Sequence, residues 1–271
     1  MAISLPACPV RYAKMLAAGP HRHYPQIAKR LELCVVMPVY NEQEIIRQVV
    51  SSWLQMLDEQ QVNYELLAIV DGGTDASEAI LLEMAAEYPR LVVDVKPNSG
   101  HGPTILQGYR RGVDNAEWVF QTDSDNEMPA GSFSDLWELR RIADAVIGIR
   151  MSRRQSLGRR VITLLARLTV RAVFGCRIAD VNCPYRLMRS KTLAPLLDLV
   201  PDYTFAPNVA LSGMLARSGA RLVEVPVPHH ERTTGVVSIL GWRVVRTAFR
   251  SFVQVARLSR VYVPSTFNLN Q

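Results

Sequence analysis

The chain has 271 residues, 48% of them apolar and 21% charged, with a formal net charge of +6. That apolar share is enough for a real core, and ordinary glycine and proline content excludes a disordered or collagen-like chain. The positive charge suits an anionic partner without separating nucleic acid, lipid headgroup and phosphorylated substrate.

Residues 1–30 mix Pro, His and Arg without a period and read as an irregular or partly helical lead-in. They carry no long apolar core, so no signal peptide is expected. LCVVMPVY at 33–40 is a continuous apolar run rich in β-branched residues, which predicts a buried parallel strand ended by Pro38. NEQEIIRQVVSSWLQML at 41–57 places Ile45, Val49, Trp53 and Leu57 at helical spacing, with Asn41 as its cap. YELLAIV at 64–70 predicts a second buried strand, followed by the turn-rich DGGTDAS at 71–77, a helix over 78–88 and a third strand, LVVDV, at 91–95. NSGHGPTILQGYRRG at 98–112 reads as a Gly-rich loop passing into a helix, and EWVFQTD at 117–123 as the fourth strand. A helix over 131–141 leads to a fifth strand, DAVIGIR, at 144–150.

Beyond this, 157–175 reads as a long apolar-basic helix, 180–190 as irregular and 191–219 as two helices. RLVEVPVPH at 221–229 is a late strand, and 239–260 a last helix. Strands alternating with helices predict an α/β domain with a mostly parallel central sheet flanked by helices. The simplest division is a lead-in at 1–30, one domain at 31–238 and a basic amphipathic helix and tail at 239–271. No stretch reaches about 18 uncharged apolar residues, so no transmembrane helix is expected. Cys8, Cys34, Cys176 and Cys183 are scattered with no CxxC pair, which favours reduced, cytosolic thiols over zinc or disulfides.

Ligands of parallel sheets bind at the carboxyl ends of the strands. The loops at 39–42, 71–75, 98–102 and 123–129 all fall there. In VFQTDSDNEMP at 119–129, Asp123, Asp125 and Glu127 alternate where a strand ends. Two such carboxylates either cap a solvated turn or aim at one hard cation, Mg or Mn, leaving room for substrate phosphates. Asn41, Glu42 and Asp71 are turn residues or hydrogen-bonding groups for a nucleoside. Gly100, Gly102 and Gly108 let backbone approach a ligand or a neighbouring loop, but no GxGxxG follows the first strand, which excludes a dinucleotide fold. His101, inside this loop, reads as a turn histidine.

Arg150, Arg186 and Arg232 are either surface ion-pair partners or bidentate phosphate ligands. Arg243, Arg246, Arg250, Arg257 and Arg260 share one stripe of the last helix, opposite Trp242, Val245, Phe249, Phe252, Val253 and Ala256. That pattern suits a helix packed on its own domain or one lying on anionic lipid. The stretch 157–175, with Arg159, Arg160, Arg167 and Arg171, repeats it.

Taken together, VVMPVYNE, VDGGTD, the Gly-rich loop, QTDSDNEMP, GIR and DVNCPYR resemble the family 2 glycosyltransferases of GT-A fold over roughly residues 33–240. Their order most resembles the polyprenyl-phosphate (dolichol-phosphate) mannosyl- and glucosyltransferases. The resemblance implies nucleotide-sugar contacts at Pro38, Tyr40, Asn41, Glu42, Asp71, Gly100, Gly102, Asp123 and Ser124, with Asp71 on the base. It implies metal binding by Asp123, Asp125 and Glu127, and phosphate contacts by Arg150, Arg186 and Arg232, the last in an RxxGxS segment with Gly235 and Ser238. Asp180 matches the Asp that precedes a Gly-Phe-Arg segment. This chain departs from the family pattern at Val70 (Asp there), Glu127 (Gln) and Ile239 (Lys).

The expectation is therefore a metal-dependent, inverting transferase moving a hexose of mannose or glucose type from a GDP- or UDP-sugar to a polyprenyl phosphate. It would use Mn or Mg and sit in the cytoplasm or on the inner membrane face through the anionic surface met by 239–260. Asp125, Arg150, Asp180, Arg186 and Arg232 would be the catalytic set. A rival reading glycosylates a hydroxyl on a soluble or glycan acceptor, with Asp180, Asp202 or Glu231 as base. Another is a non-catalytic basic module on nucleic acid, a partner the acidic cluster argues against.

Overall fold

The computed structural model describes residues 30–151 and 178–230 together with 164, 168, 170–175, 254 and 256–258. Its centre is a seven-stranded sheet of β1 (Leu31–Val39), β2 (Tyr64–Asp71), β3 (Leu91–Lys96), β4 (Ala116–Gln121), β5 (Ala145–Arg150), β6 (Arg186–Arg189) and β7 (Leu222–Val227). The spatial order is β3-β2-β1-β4-β6-β5-β7. All neighbours run parallel except β6, which is antiparallel to both β4 and β5.

Helices α1 (Ile46–Glu59), α2 (Ser77–Glu87), α3 (His101–Asn115), α4 (Phe133–Leu139), α5 (Ser190–Leu197) and α6 (Pro207–Arg217) cover the two faces. The two-residue strand period sorts β1 cleanly between them. Leu33, Val35, Met37 and Val39 face α1 and an aromatic cluster of Trp53, Phe120, Phe133 and Tyr185. Cys34 and Val36 face Ile105 and Tyr109 of α3 and the apolar side of α5 and α6. Continuous apolar runs are what strands buried on both faces require. Both described cysteines, Cys34 and Cys183, are free and buried, and burial pushes each thiol up to about 12.

Four sequence expectations need correction. Residues 186–189 form β6 where an irregular segment is expected; Leu187 and Met188 pack into opposite cores while arginines at both ends disguise the strand. Asn41 does not cap α1, which starts at Ile46; it sits at φ 54° in a separate turn. Pro38 lies within β1 instead of ending it. Val36 directs its carbonyl to Thr122 of the β4 side at 3.1 Å. Pro38, two residues on, turns its nitrogen the same way, past the last β4 partner, so its missing N–H interrupts no ladder bond.

The fourth correction is the start of the helix in 98–112: α3 begins at His101 and includes Gly102 and Gly108, and of the two readings of the glycines Gly102 shows close approach to a neighbouring loop. A Cβ on Gly102 would stand 2.2 Å from the Thr204 carbonyl oxygen, and one on Gly108 2.2 Å from Val36 Cγ1. Both serve close packing, which offsets the ~1 kcal/mol that glycine costs inside a helix. The lead-in, the RxxGxS segment and all but a few residues of the two arginine-rich helices lie outside the described residues.

Candidate active site

Strand order reverses direction of growth between β1 and β4, whose last paired residues are Val36 and Gln121. That is the switch point of the strand order, and in open α/β sheets ligands bind at the carboxyl ends of the strands there.

One wall is made by the turns after β1 and β2, which are laced together. Asn41 accepts from the Thr74 N–H at 2.8 Å and donates to the Thr74 hydroxyl at 3.3 Å. The Glu42 N–H donates to Ser77 Oγ at 2.8 Å, and the Gln43 N–H to Asp75 Oδ2 at 2.9 Å. Glu42 is buried and Tyr40 exposed. Although burial opposes its charge, the N–H groups of Ser77 and Gln43 hold the Asp75 carboxyl below its usual range.

Asp71 ends β2, buried. It accepts from the N–H groups of Ser99 at 2.8 Å and Gly100 at 2.9 Å and pairs with the Lys96 ammonium. Desolvation works against ionisation, but Lys96 and the two N–H groups keep the carboxyl low. Expected to meet a nucleoside base, Asp71 here clamps the β3–α3 loop. Gly100, at φ 92°, makes the turn that presents its N–H to Asp71 and opens α3.

The opposite wall is the acidic turn. Asp123 and Asp125 are partly exposed and Ser124 is buried. Asp123 Oδ1 lies 3.4 Å from Gln121 Nε2 and 3.8 Å from His101 Nε2 in the first turn of α3. Asp125 Oδ1 accepts from the Glu127 N–H at 3.1 Å. Glu127 turns aside: its Oε2 lies 2.9 Å from His229 Nε2, and its carbonyl accepts from the His230 N–H at 2.8 Å. His229 was missed by sequence reasoning; only its place at the end of the late strand at 221–229 could have drawn attention to it. Among the described residues no three His, Cys, Asp or Glu side chains form a metal cage by themselves. The donor set nevertheless fits a hard cation that keeps positions for substrate oxygens: two carboxylates on one turn, both reaching solvent.

Arg150 closes the site from β5. Burial disfavours its charge, but the two-point bond to Asp180 raises its pKa, and the Asp123 charge contributes in the same direction. Asp180 is anchored in turn, since Glu224 of β7 accepts from the N–H groups of Ala179 at 2.7 Å and Asp180 at 3.3 Å. Arg186, expected at an acceptor phosphate, is instead fully buried. All five of its N–H donors are spent, on the carbonyls of Cys183 (twice), Val181 and Asn208 and on Ser212 Oγ, at 2.7–3.3 Å. It fastens the 180–185 loop to α6. Arg232 lies outside the described residues.

Comparison with known proteins places this geometry. The family model described as "Glycosyl transferase family 2" matches residues 34–196. An undecaprenyl-phosphate 4-deoxy-4-formamido-L-arabinose transferase of Edwardsiella ictaluri (strain 93-146) is 31% identical over 204 residues, 74% of this chain and 61% of that protein. The enzyme of the same name from Pseudomonas fluorescens (strain Pf0-1) is 28% identical over 219 residues, 79% of this chain and 62% of its own. The chain thus spans about three-fifths of the length of these relatives. Among solved structures, glucosyl-3-phosphoglycerate synthase from Mycobacterium tuberculosis, in complex with Mn2+, UDP and phosphoglyceric acid, superposes with a TM-score of 0.62 at 16% identity. The match covers 86% of this chain and 80% of that one. Its complex with Mn2+ and UDP-glucose gives 0.60. At that identity the likeness establishes the fold.

Proposed function

The chain belongs to glycosyl transferase family 2, a glycosyltransferase of GT-A fold, and from that premise we propose that it moves a sugar from a nucleoside-diphosphate sugar to the phosphate of a polyprenyl phosphate. The observation that carries this reading is that the Asp123 charge, on the turn after β4, acts on the Arg150 guanidinium, which a two-point bond to Asp180 holds at the end of β5.

The laced turns at 40–43 and 71–76 would seat the nucleoside, with Asn41 and Glu42 at its edge. Asp123 and Asp125 would hold a divalent cation, Mn or Mg, which when bound neutralises charge on a departing diphosphate. Arg150 adds a permanent positive charge, fixed in orientation by Asp180 before substrate arrives; such preorganisation is what stabilises developing charge most effectively. An acceptor phosphate is already ionised at neutral pH and needs no base. That agrees with Asp180 serving as a counter-ion to arginine, which makes it a poor proton acceptor. A hydroxyl acceptor would need such a base. Asp202, the other described candidate, is highly exposed and paired with Arg110.

No helix among the described residues is long and apolar enough to cross a membrane. The test is transfer from labelled UDP- and GDP-sugars to a short polyprenyl phosphate in vesicles. The panel includes glucose and mannose donors and the 4-deoxy-4-formamido-L-arabinose type that the relatives' names carry. The expected product is a polyprenyl glycosyl phosphodiester from which mild acid releases the labelled sugar. Transfer confined to a soluble hydroxyl acceptor overturns the lipid assignment.

A further inference from the structure

Behind the acidic turn lies a buried polar chain that the reaction as described does not use. Gln121 is the last residue of β4 and is fully buried. Its Oε1 takes hydrogen bonds from the Tyr109 hydroxyl of α3 and from Asn208 Nδ2 of α6, the latter at 2.9 Å. The same hydroxyl stands 2.9 Å from Asn208 Oδ1. Tyr109 is fully buried and Asn208 nearly so, and the Asn208 carbonyl accepts from Arg186 at 3.2 Å. The Asn208 Nδ2 donor on Oε1 sets the Gln121 amide with its nitrogen on the opposite side. Its Nε2 points to Asp123 Oδ1, 3.4 Å away.

We propose that Gln121 is a positioning residue for Asp123, its amide locked by Tyr109 and Asn208 so that the Asp123 carboxylate is aimed before cation and diphosphate arrive. A buried amide is expensive unless every polar atom has a partner. Of the three buried polar side chains, Gln121 alone reaches the Asp123 carboxylate, while Tyr109 and Asn208 hold Gln121 from α3 and α6. Asp123 stands two residues beyond the last paired residue of β4, where no strand ladder fixes it. Groups that orient ligating carboxylates in this way commonly change metal affinity by about tenfold to a hundredfold when removed.

This inference rests on the cation site proposed above, and the experiment separates the two. Mn2+ uptake by the purified full chain is followed by electron paramagnetic resonance in the presence of UDP or GDP, beside thermal melting. The variants are Gln121→Met, which keeps the length but loses the donor, and Asn208→Ala, which releases the amide without touching Asp123 and leaves the carbonyl for Arg186. We expect Gln121→Met to weaken nucleotide-dependent Mn2+ uptake about tenfold or more, and Asn208→Ala to weaken it in the same direction by less. Folded variants that bind Mn2+ as the wild type does, with only a lower melting temperature, overturn the positioning role while the cation site stands. Should Gln121→Met fail to fold, Asn208→Ala decides by the same criterion. Wild-type protein that takes up no Mn2+ with either nucleotide overturns the cation site itself, and the positioning role with it.

Discussion

Arg150 closes on Asp180 through two parallel hydrogen bonds, Nε to Oδ2 at 2.7 Å and Nη2 to Oδ1 at 2.8 Å, with both side chains at least nine-tenths buried. A fork so enclosed holds the guanidinium plane fixed. Removing one partner leaves a buried charge uncompensated, so Asp180→Asn should lower stability by about 3 kcal/mol in urea unfolding. In the folded fraction, transfer should fall about a hundredfold or more with nucleotide affinity less affected, as expected when a group acts on developing charge. Arg150→Lys should not rescue transfer, because an ammonium cannot reproduce the fork.

Asp71 makes a pH prediction. Its folded carboxyl lies below its ordinary value of 3.8, held there against desolvation by Lys96, Ser99 and Gly100. A depressed folded pKa contributes stability that is fully present above the unfolded value and is lost as pH falls through the folded one. Asp71→Ala should therefore destabilise by about 3 kcal/mol at neutral pH, as for a broken buried pair. The difference from wild type should stay constant down to about pH 5 and shrink below about pH 4. Urea titrations across that range measure it.

Arg186 separates a structural from a catalytic arginine. Arg186→Lys leaves carbonyls of Cys183, Val181 or Asn208 without donors inside the core. Each orphaned buried acceptor costs about 1–3 kcal/mol, so a total loss of about 3 kcal/mol is expected. The enzyme that remains folded should show an unchanged acceptor KM; a large rise in KM at preserved stability would return Arg186 to the substrate.

Glycine at 102 marks contact between α3 and the loop before α6. Gly102→Ala should cost about 1–3 kcal/mol, since the carbonyls of Thr204 and Phe205, at 2.2 and 2.5 Å from the added carbon, are backbone and cannot swing away. Melting of the variant measures this directly.

The sheet was legible because β1, β2 and β4 are buried on both faces and so read as unbroken apolar runs, while α1 shows its period through Val49, Trp53 and Leu57. Strand β6 was not, because four residues bracketed by Arg186 and Arg189 offer no pattern, and its antiparallel partners are distant in sequence. The acidic turn announced itself by alternation at a strand end. What Asp71 and Arg186 do with their donors and acceptors depends on groups brought together by folding: Ser99 and Gly100 for one, Asn208 and Ser212 for the other. Spacing along the chain carries no trace of those pairings, nor of the approach of His229 to Glu127 across 102 positions.

The central claim, a nucleotide-diphosphate site built on Asp123 and Asp125, is tested most directly by calorimetric titration of the protein with UDP and GDP, each with and without Mn2+, beside Asp125→Ala. One nucleotide should bind in a metal-dependent way, and Asp125→Ala should abolish the binding. Absence of binding by either nucleotide with any metal, or binding untouched by Asp125→Ala, would contradict that claim.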